Sequence, residues 1–338
     1  MALRPVRLAA AVSALLVAWG APSAALADCD SPGEFSSCFD ADPFWPVASS
    51  VKFVQVGPAS VEAPGAVFLG LATSHATQSA TLELPSPDPR GRQLPVVEHV
   101  TTATLLAAWG LAARTEVSLA LPWTIDQRGM GLGGVTSQSS DDLRRHPLRD
   151  PRVGVTRVLW QHDAAVRVSV ATRYTLAVPL GDAPALAGDR TVVGVPGFAM
   201  GFARGRFFGA AEASARLREP TRLANARLGS QLVVAAGLGV DLLAKGRLSL
   251  SSEAFVAPSL VEQPTAASGN PSVLAPAEWL VSLGSAPLGR HGPTALIAGG
   301  GGLPLSTTDG SAGVGMTSPA LRLVAIVRQR IGLRRSNR

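Results

Sequence analysis

Lysine is almost missing from this chain. Lys52 and Lys245 are the only two in 338 residues, so 28 of the 30 basic side chains are arginines. They are scattered singly, and one tyrosine (Tyr174) with aromatics at 5% leaves few rings for stacking bases. Nucleic acid is therefore not an expected partner despite a net charge of +6, because binding it takes clustered cations and stacking platforms. Charge of either sign is scarce too, at 16% of residues, against roughly 25% in soluble domains. With hydrophobic residues at 46%, the chain is too apolar to stay disordered. Past the N-terminus no apolar run approaches the roughly 18 residues of a spanning helix. The 35 glycines and 26 prolines exclude a helical bundle or coiled coil, since both residues break helices.

The first 27 residues have the anatomy of a secretory signal. Arg4 and Arg7 supply the positive start, residues 8–19 the apolar stretch, and Ala25-Leu26-Ala27 an A-x-A cleavage site. Cleavage before Asp28 lowers the net charge to +4, because two arginines and no acid leave with the segment. Asp28 occupies the place of the small residue a lipoprotein box needs before Cys29, so lipid attachment is not expected. Cys29 and Cys38, the only cysteines, are expected to pair in an oxidising compartment. The lack of a nearby histidine disfavours a metal site there. Residues 28–60 show no sustained periodicity and read as an irregular Cys-containing N-terminal extension.

From residue 61 onward strict two-residue alternation replaces helical periodicity. In 114–121, Thr115, Val117, Leu119 and Leu121 alternate with Arg114, Glu116, Ser118 and Ala120. In 166–178, Val168, Val170 and Tyr174 alternate with Arg167, Ser169, Ala171 and Arg173. Val168 and Val170 are expected to face lipid near mid-membrane. Twelve such runs emerge, at 66–74, 96–109, 112–122, 152–160, 164–179, 191–203, 206–217, 223–240, 246–258, 277–286, 293–303 and 319–331. The count brackets ten to fourteen. The links between them alternate short and long. Gly110-Leu111, residues 161–163, Arg204-Gly205, Lys245-Gly246 and residues 289–292 are short, while 75–95, 123–151, 180–190, 259–276 and 304–318 are long.

Runs of this length and loops sorted in this way are features of an all-β fold, an antiparallel transmembrane β-barrel. The barrel is expected over 61–332, followed by a basic tail at 333–338. Both barrel ends fall on the periplasmic side. Trp109, Trp160, Phe202 and Phe207 stand at short-link ends and Trp123 and Trp279 at long-link ends, the levels of the two aromatic girdles.

The segments RTEVSLALP at 114–122, DPRVG at 150–154 and VPLG at 178–181 resemble features of bacterial outer-membrane barrels. These are the barrels that form the N-terminal half of myxobacterial OmpA-family proteins. The chain is similar as well to the transporter-like barrels of the phenol-degradation meta-pathway family. The resemblance covers about residues 60–332 and implies outer-membrane lipid and the barrel-assembly machinery as partners. It departs from the family in two ways. No peptidoglycan-binding segment follows residue 332, and the chain ends Gly332 to Arg338 without a terminal aromatic.

No catalytic constellation, metal site or cofactor is expected. His75, His99, His146, His162 and His291 have no ligand spacing, no G-x-S-x-G occurs, and Gly299 to Gly302 lacks the lysine of a phosphate loop. The four glycines read instead as a close backbone approach. Chemistry is expected in the lumen, where the alternation points Arg114, Glu116, Arg167, Arg173, Glu212, Arg216, Arg227, Glu253, Arg322 and Arg328. These charges are a polar path for a small solute or ion, or ion pairs filling a closed barrel. Twelve strands lie between the filled and the open sizes, and residues 28–60 are themselves a candidate lumen filler. The competing readings are a pore or transporter, a non-conducting structural or adhesive barrel, and a secreted soluble β-sandwich.

Overall fold

The computed structural model describes residues 38–49, 52–84, 92–132, 143–223, 226–243, 247–263, 274–287, 292–306, 314–316 and 318–332. The segments 1–27 and 333–338, and Cys29, lie outside them. The chain runs β1 (Ala66–Leu84), β2 (Arg92–Ala112), β3 (Thr115–Arg128), β4 (Arg152–Asp163) and β5 (Arg167–Ala177). It continues through β6 (Val193–Arg204), β7 (Phe207–Arg216), β8 (Thr221–Leu223), β9 (Ala226–Leu228) and β10 (Gln231–Asp241). It closes with β11 (Leu248–Val256), β12 (Ala277–Ser285), β13 (Thr294–Gly302), β14 (Val314–Met316) and β15 (Leu321–Gly332). Among the described residues the only helical element is the 3-10 turn Ala183–Ala185, and no helix is long and apolar enough to cross a membrane.

Twelve strands pair antiparallel with their sequence neighbours, and β1 pairs with both β2 and β15, which closes the barrel. Closure overturns the sandwich reading. Strand β14 adds to the far end of β1, and β8 with β9 forms a separate hairpin in the link from β7 to β10. That hairpin corrects the expected run at 223–240. Residues 226–228 belong to the long link, and the barrel strand begins at Gln231.

Alternation explains the wall. In β15, Arg322, Val324, Ile326 and Arg328 are buried inside, while Leu321, Leu323 and Val327 are exposed outside. In β4, Val153, Val155 and Leu159 likewise alternate with buried Arg152, Thr156 and Val158. The outer face is an apolar band. Leu71 is level with Leu105 in β2 and Val327 in β15, and Leu105 with Leu121 in β3. Leu71 and Leu105 are each 44% exposed. Such a band on a closed barrel is the surface of a barrel that sits in lipid. Trp123, Trp160, Phe202, Phe207 and Trp279 are exposed on it, and Trp109 is half-buried.

Two expectations about levels change. Val168 is the second residue of β5, beside the 164–166 turn, so it lies at the rim rather than near mid-membrane. The span 75–95 is mostly strand, because β1 and β2 continue past the apolar band as a paired extension. No lipid faces that stretch, so it has no reason to alternate apolar with polar. Its inner face builds a cap. Ala76, Ala80, Leu82, Val96, Val97 and Val100 pack with Leu132, Leu186, Leu223, Leu228 and Leu274 from the long links. Gly300 confirms the close approach, since a Cβ there would lie 1.8 Å from the Trp279 carbonyl oxygen.

The two faces of the wall make opposite demands on charge. Leu105→Arg is expected to destabilise the barrel by about 2–4 kcal/mol, because the guanidinium would meet lipid. Ser169→Arg, which enters a water-accessible space at the short-turn mouth, is expected to have a much smaller effect. Urea titrations of both variants folded into lipid vesicles check this; equal losses would contradict the assigned faces.

Candidate functional site in the plugged lumen

Residues 38–65 enter the lumen at the long-link end and run to its short-turn end, where β1 begins. At the top, Ala41 N donates to Leu186 O at 3.0 Å. At the bottom, Gly65 N donates to Gly110 O at 2.8 Å. Phe39, Phe44, Phe53, Val54 and Val56 are buried along the way. Apolar side chains in an irregular segment have to be covered by something, and here the barrel wall covers them. Phe44, Ala48 and Val54 pack on Phe68, Leu106, Leu280, Leu296, Val324 and Ile326 of β1, β2, β12, β13 and β15. Phe53 and Val56 pack on Phe208, Ala235 and Phe255, and Ala59 on Ala171 and Ala199.

Charge completes the fit. Arg322 is fully buried between two acids, with Nε donating to Glu278 Oε2 at 2.6 Å and Nη2 to Asp42 Oδ1 at 2.7 Å. Its Nη1 also donates to Ser74 Oγ at 2.9 Å, and its guanidinium lies 4.2 Å from the Phe44 ring centre. Arg149 pairs with Asp40 and donates to Asp42 O at 2.8 Å. Lower down, wall carboxylates hold the segment's backbone, which has no sheet partner of its own there. Glu253 accepts from Val54 N at 2.8 Å and from Gln55 N and Val56 N at 3.0 Å each. Glu212 accepts from Gly57 N at 3.0 Å and Arg173 Nη1 at 2.8 Å, and Arg173 Nη2 reaches Pro58 O at 3.2 Å. Glu116 accepts from Glu62 N at 2.9 Å, and Lys52 pairs with Asp241. Gly57 lets the Arg173 guanidinium lie against the backbone, since a Cβ there would stand 1.5 Å from Nη1 and displace it.

Because the segment leans on the apolar wall, space is left along β3 to β7. A cavity of about 110 Å³ lies between Trp45 to Ser49 and wall residues that include Arg152, Arg173, Glu212 and Arg216. A second space of about 340 Å³ opens at the short-turn mouth beside Lys52, Pro58, Ala59, Arg167 and Phe208. The Arg173–Glu212 pair and the Gly57-Pro58 backbone it holds stand between the two.

Glu116, Arg173, Glu212, Arg216, Glu253, Arg322 and Arg328 thus meet around one segment, with Arg167 exposed at the mouth. Two expected members are elsewhere. Arg114 is exposed in the tight turn before β3, where alternation no longer sets direction. Arg227 lies in the β8–β9 hairpin, where its N–H donates to Gln263. Asp40, Asp42, Trp45, Arg149, Arg152 and Glu278 are members that the alternation did not single out. Acids set among the Phe, Trp and Val of 39–56 were the available signal, since a solvated extension has no use for those rings. Among the described residues no three metal-capable side chains cluster.

The cap has its own titrating group. Asp150 joins two long links, accepting from Gly181 N at 2.7 Å and Asp189 N at 2.8 Å. Burial pushes its carboxyl up to about 7 from 3.8, against the pull of those two N–H groups.

No family model matches the chain, and no curated protein matches it in sequence. Solved structures do. The COG4313 outer membrane channel from Pseudomonas putida F1 superimposes with TM-score 0.56 at 12% identity, over 82% of this chain and 100% of that one. The likeness is one of fold. The NanC porin (TM-score 0.44, 7% identity, 78% and 100% covered) and the Pseudomonas putida toluene transporter TodX (0.40, 10%, 88% and 100%) are more distant.

Two expected outcomes follow from these contacts. Arg322→Met leaves Asp42 and Glu278 buried without their cation and should destabilise the protein by about 3–5 kcal/mol. Adding Asp42→Asn and Glu278→Gln should recover much of that loss in urea unfolding. A raised folded-state pKa means the Asp150 contribution is complete below about pH 4 and is lost as pH rises through about 7. The urea midpoint of the parent should therefore fall more between these pH values than that of Asp150→Asn; identical pH profiles would contradict the assignment.

Proposed function

We propose that the protein is an outer-membrane channel or transporter that passes a small solute along the β3–β7 side of its lumen. In this reading residues 38–65 are a plug that has to shift for passage. The two spaces on one wall, with the Arg173–Glu212 grip on Gly57 and Pro58 between them, carry the proposal. A lumen built only as a packed core has no reason to keep them. The barrel fold shared with an outer membrane channel supports the same reading. Export by the 1–27 signal, insertion by the barrel-assembly machinery and a Cys29–Cys38 disulfide belong to this reading. We propose no enzymatic role.

A plug held by hydrogen bonds rather than by a sheet is releasable one contact at a time. Glu253→Gln turns one of the acceptor oxygens facing three N–H groups into a donor, and is expected to loosen the plug and raise conductance in planar bilayers. Deletion of residues 38–62 should give a larger, steady conductance. A deletion variant that folds, shown by heat-modifiable gel migration, yet stays silent would favour the non-conducting structural barrel and overturn the channel.

A further inference from the structure

The deep lumen arginines divide into those with an acid beside them and those without. Arg149, Arg173 and Arg322 each hold a carboxylate. Arg328 does not, and its Nε and Nη1 are also without a partner, but it donates to Val47 O at 2.6 Å and lines neither space. Arg152 and Arg216 are different. They are only 7% and 5% exposed, they line the 110 Å³ cavity, and neither is in ion-pair contact with a carboxylate among the described residues. Arg152 Nη2 and Arg216 Nε are buried without any hydrogen-bond partner. Arg216 has one bond, from Nη2 to Pro43 O at 3.2 Å. Both guanidiniums lie over the Trp45 ring, 4.7 and 4.3 Å from its centre.

A ring quadrupole attracts each cation, but falls well short of what burying an unpaired charge costs. The acids that line the same cavity are already engaged, Glu212 by Arg173 and Gly57 N, and Glu116 by Glu62 N. Two buried cations that line one cavity and have no carboxylate in contact are a half-built anion site.

We propose that this cavity binds a small oxyanion, a carboxylate or phosphate group, held by Arg152 and Arg216. The planar fork of guanidinium donors matches the oxygens of such groups. The space has room for several water-sized centres at about 10–15 Å³ each, which suits acetate or inorganic phosphate and excludes nucleotides and lipids. The inference deepens the channel reading by naming the solute's chemistry, since the site lies on the proposed route directly above the Arg173–Glu212 contact.

The test needs no bilayer, so its outcome is separable from that of the conductance measurement. Full-length protein refolded in detergent is titrated with sodium acetate and, separately, with inorganic phosphate at constant ionic strength, reading calorimetric heat and the unfolding midpoint. Saturable binding of at least one anion is expected, and which of the two binds tells a carboxylate site from a phosphate site. Arg152→Gln and Arg216→Gln should each weaken it about tenfold or more, and the double variant should abolish it. Arg152→Lys should retain weakened binding, and Arg114→Gln, altered in an exposed turn, should bind like the parent. Without anion the glutamine variants should be at least as stable as the parent, because each loses an unpaired buried charge. No saturable binding, or undiminished binding in the double variant, overturns the proposal. If a glutamine variant does not fold, the unsubstituted protein decides: a midpoint that rises without saturation, and equally for both salts, is screening alone and overturns it too.

Discussion

Twelve strands enclose more space than their inward side chains fill, and in this barrel that space is lined with charge. Each buried charge needs a partner within reach, and the wall alone does not supply enough of them. Residues 38–65 supply several of the missing ones. Asp42 completes the pairing of Arg322, Asp40 that of Arg149, and backbone N–H groups satisfy Glu253, Glu212 and Glu116. The wall in turn satisfies a stretch of backbone that has no strand beside it. Neither component is electrostatically complete without the other.

The lumen is also lopsided. On one side the wall is apolar, and Phe44, Ala48 and Val54 lie against it. On the other side Gly154, Thr156, Thr175, Gly197 and Ser214 present small or polar groups, and the packing is loose. Apolar burial fixes where the plug rests, and hydrogen bonds to carboxylates fix its height. The unfilled volume lies on the polar side. Polar groups with water beside them tolerate such voids, whereas voids among apolar side chains are destabilising.

Much of this was legible in the sequence because a membrane barrel repeats one physical rule. Leu321, Leu323 and Val327 out and Arg322, Val324 and Arg328 in follow from a period of two between lipid and a polar interior. The rule fails where its cause ends. Arg114 sits in a turn and Arg227 in a hairpin above the bilayer, so neither direction follows from alternation. The β1–β2 extension beyond residue 75 looked like a loop because no lipid imposes a pattern on it. The plug was open to view only as composition, Phe39, Phe44, Trp45 and Phe53 beside Asp40 and Asp42, since irregular backbone has no period to read. Glu278 and Arg149 were invisible for a different reason. Their significance depends on Arg322 and Asp40, and contacts 44 and 109 residues apart in sequence are set by the closed barrel.

The described plug runs straight on into β1 through Gly65 at the short-turn mouth, while Cys38 lies at the opposite mouth. Geometry therefore forbids it to swing aside as a hinged lid would. To clear the lumen, the stretch from Cys38 would have to be drawn down the length of the barrel, past its buried ion pairs. Lifting the stretch from Val54 to Pro58 off Glu253 and Glu212 breaks only a handful of hydrogen bonds and leaves the Asp42–Arg322–Glu278 cluster untouched. The two motions differ in kind: one is a local slackening that can recur with every passage, the other an unthreading that dismantles most of the interior.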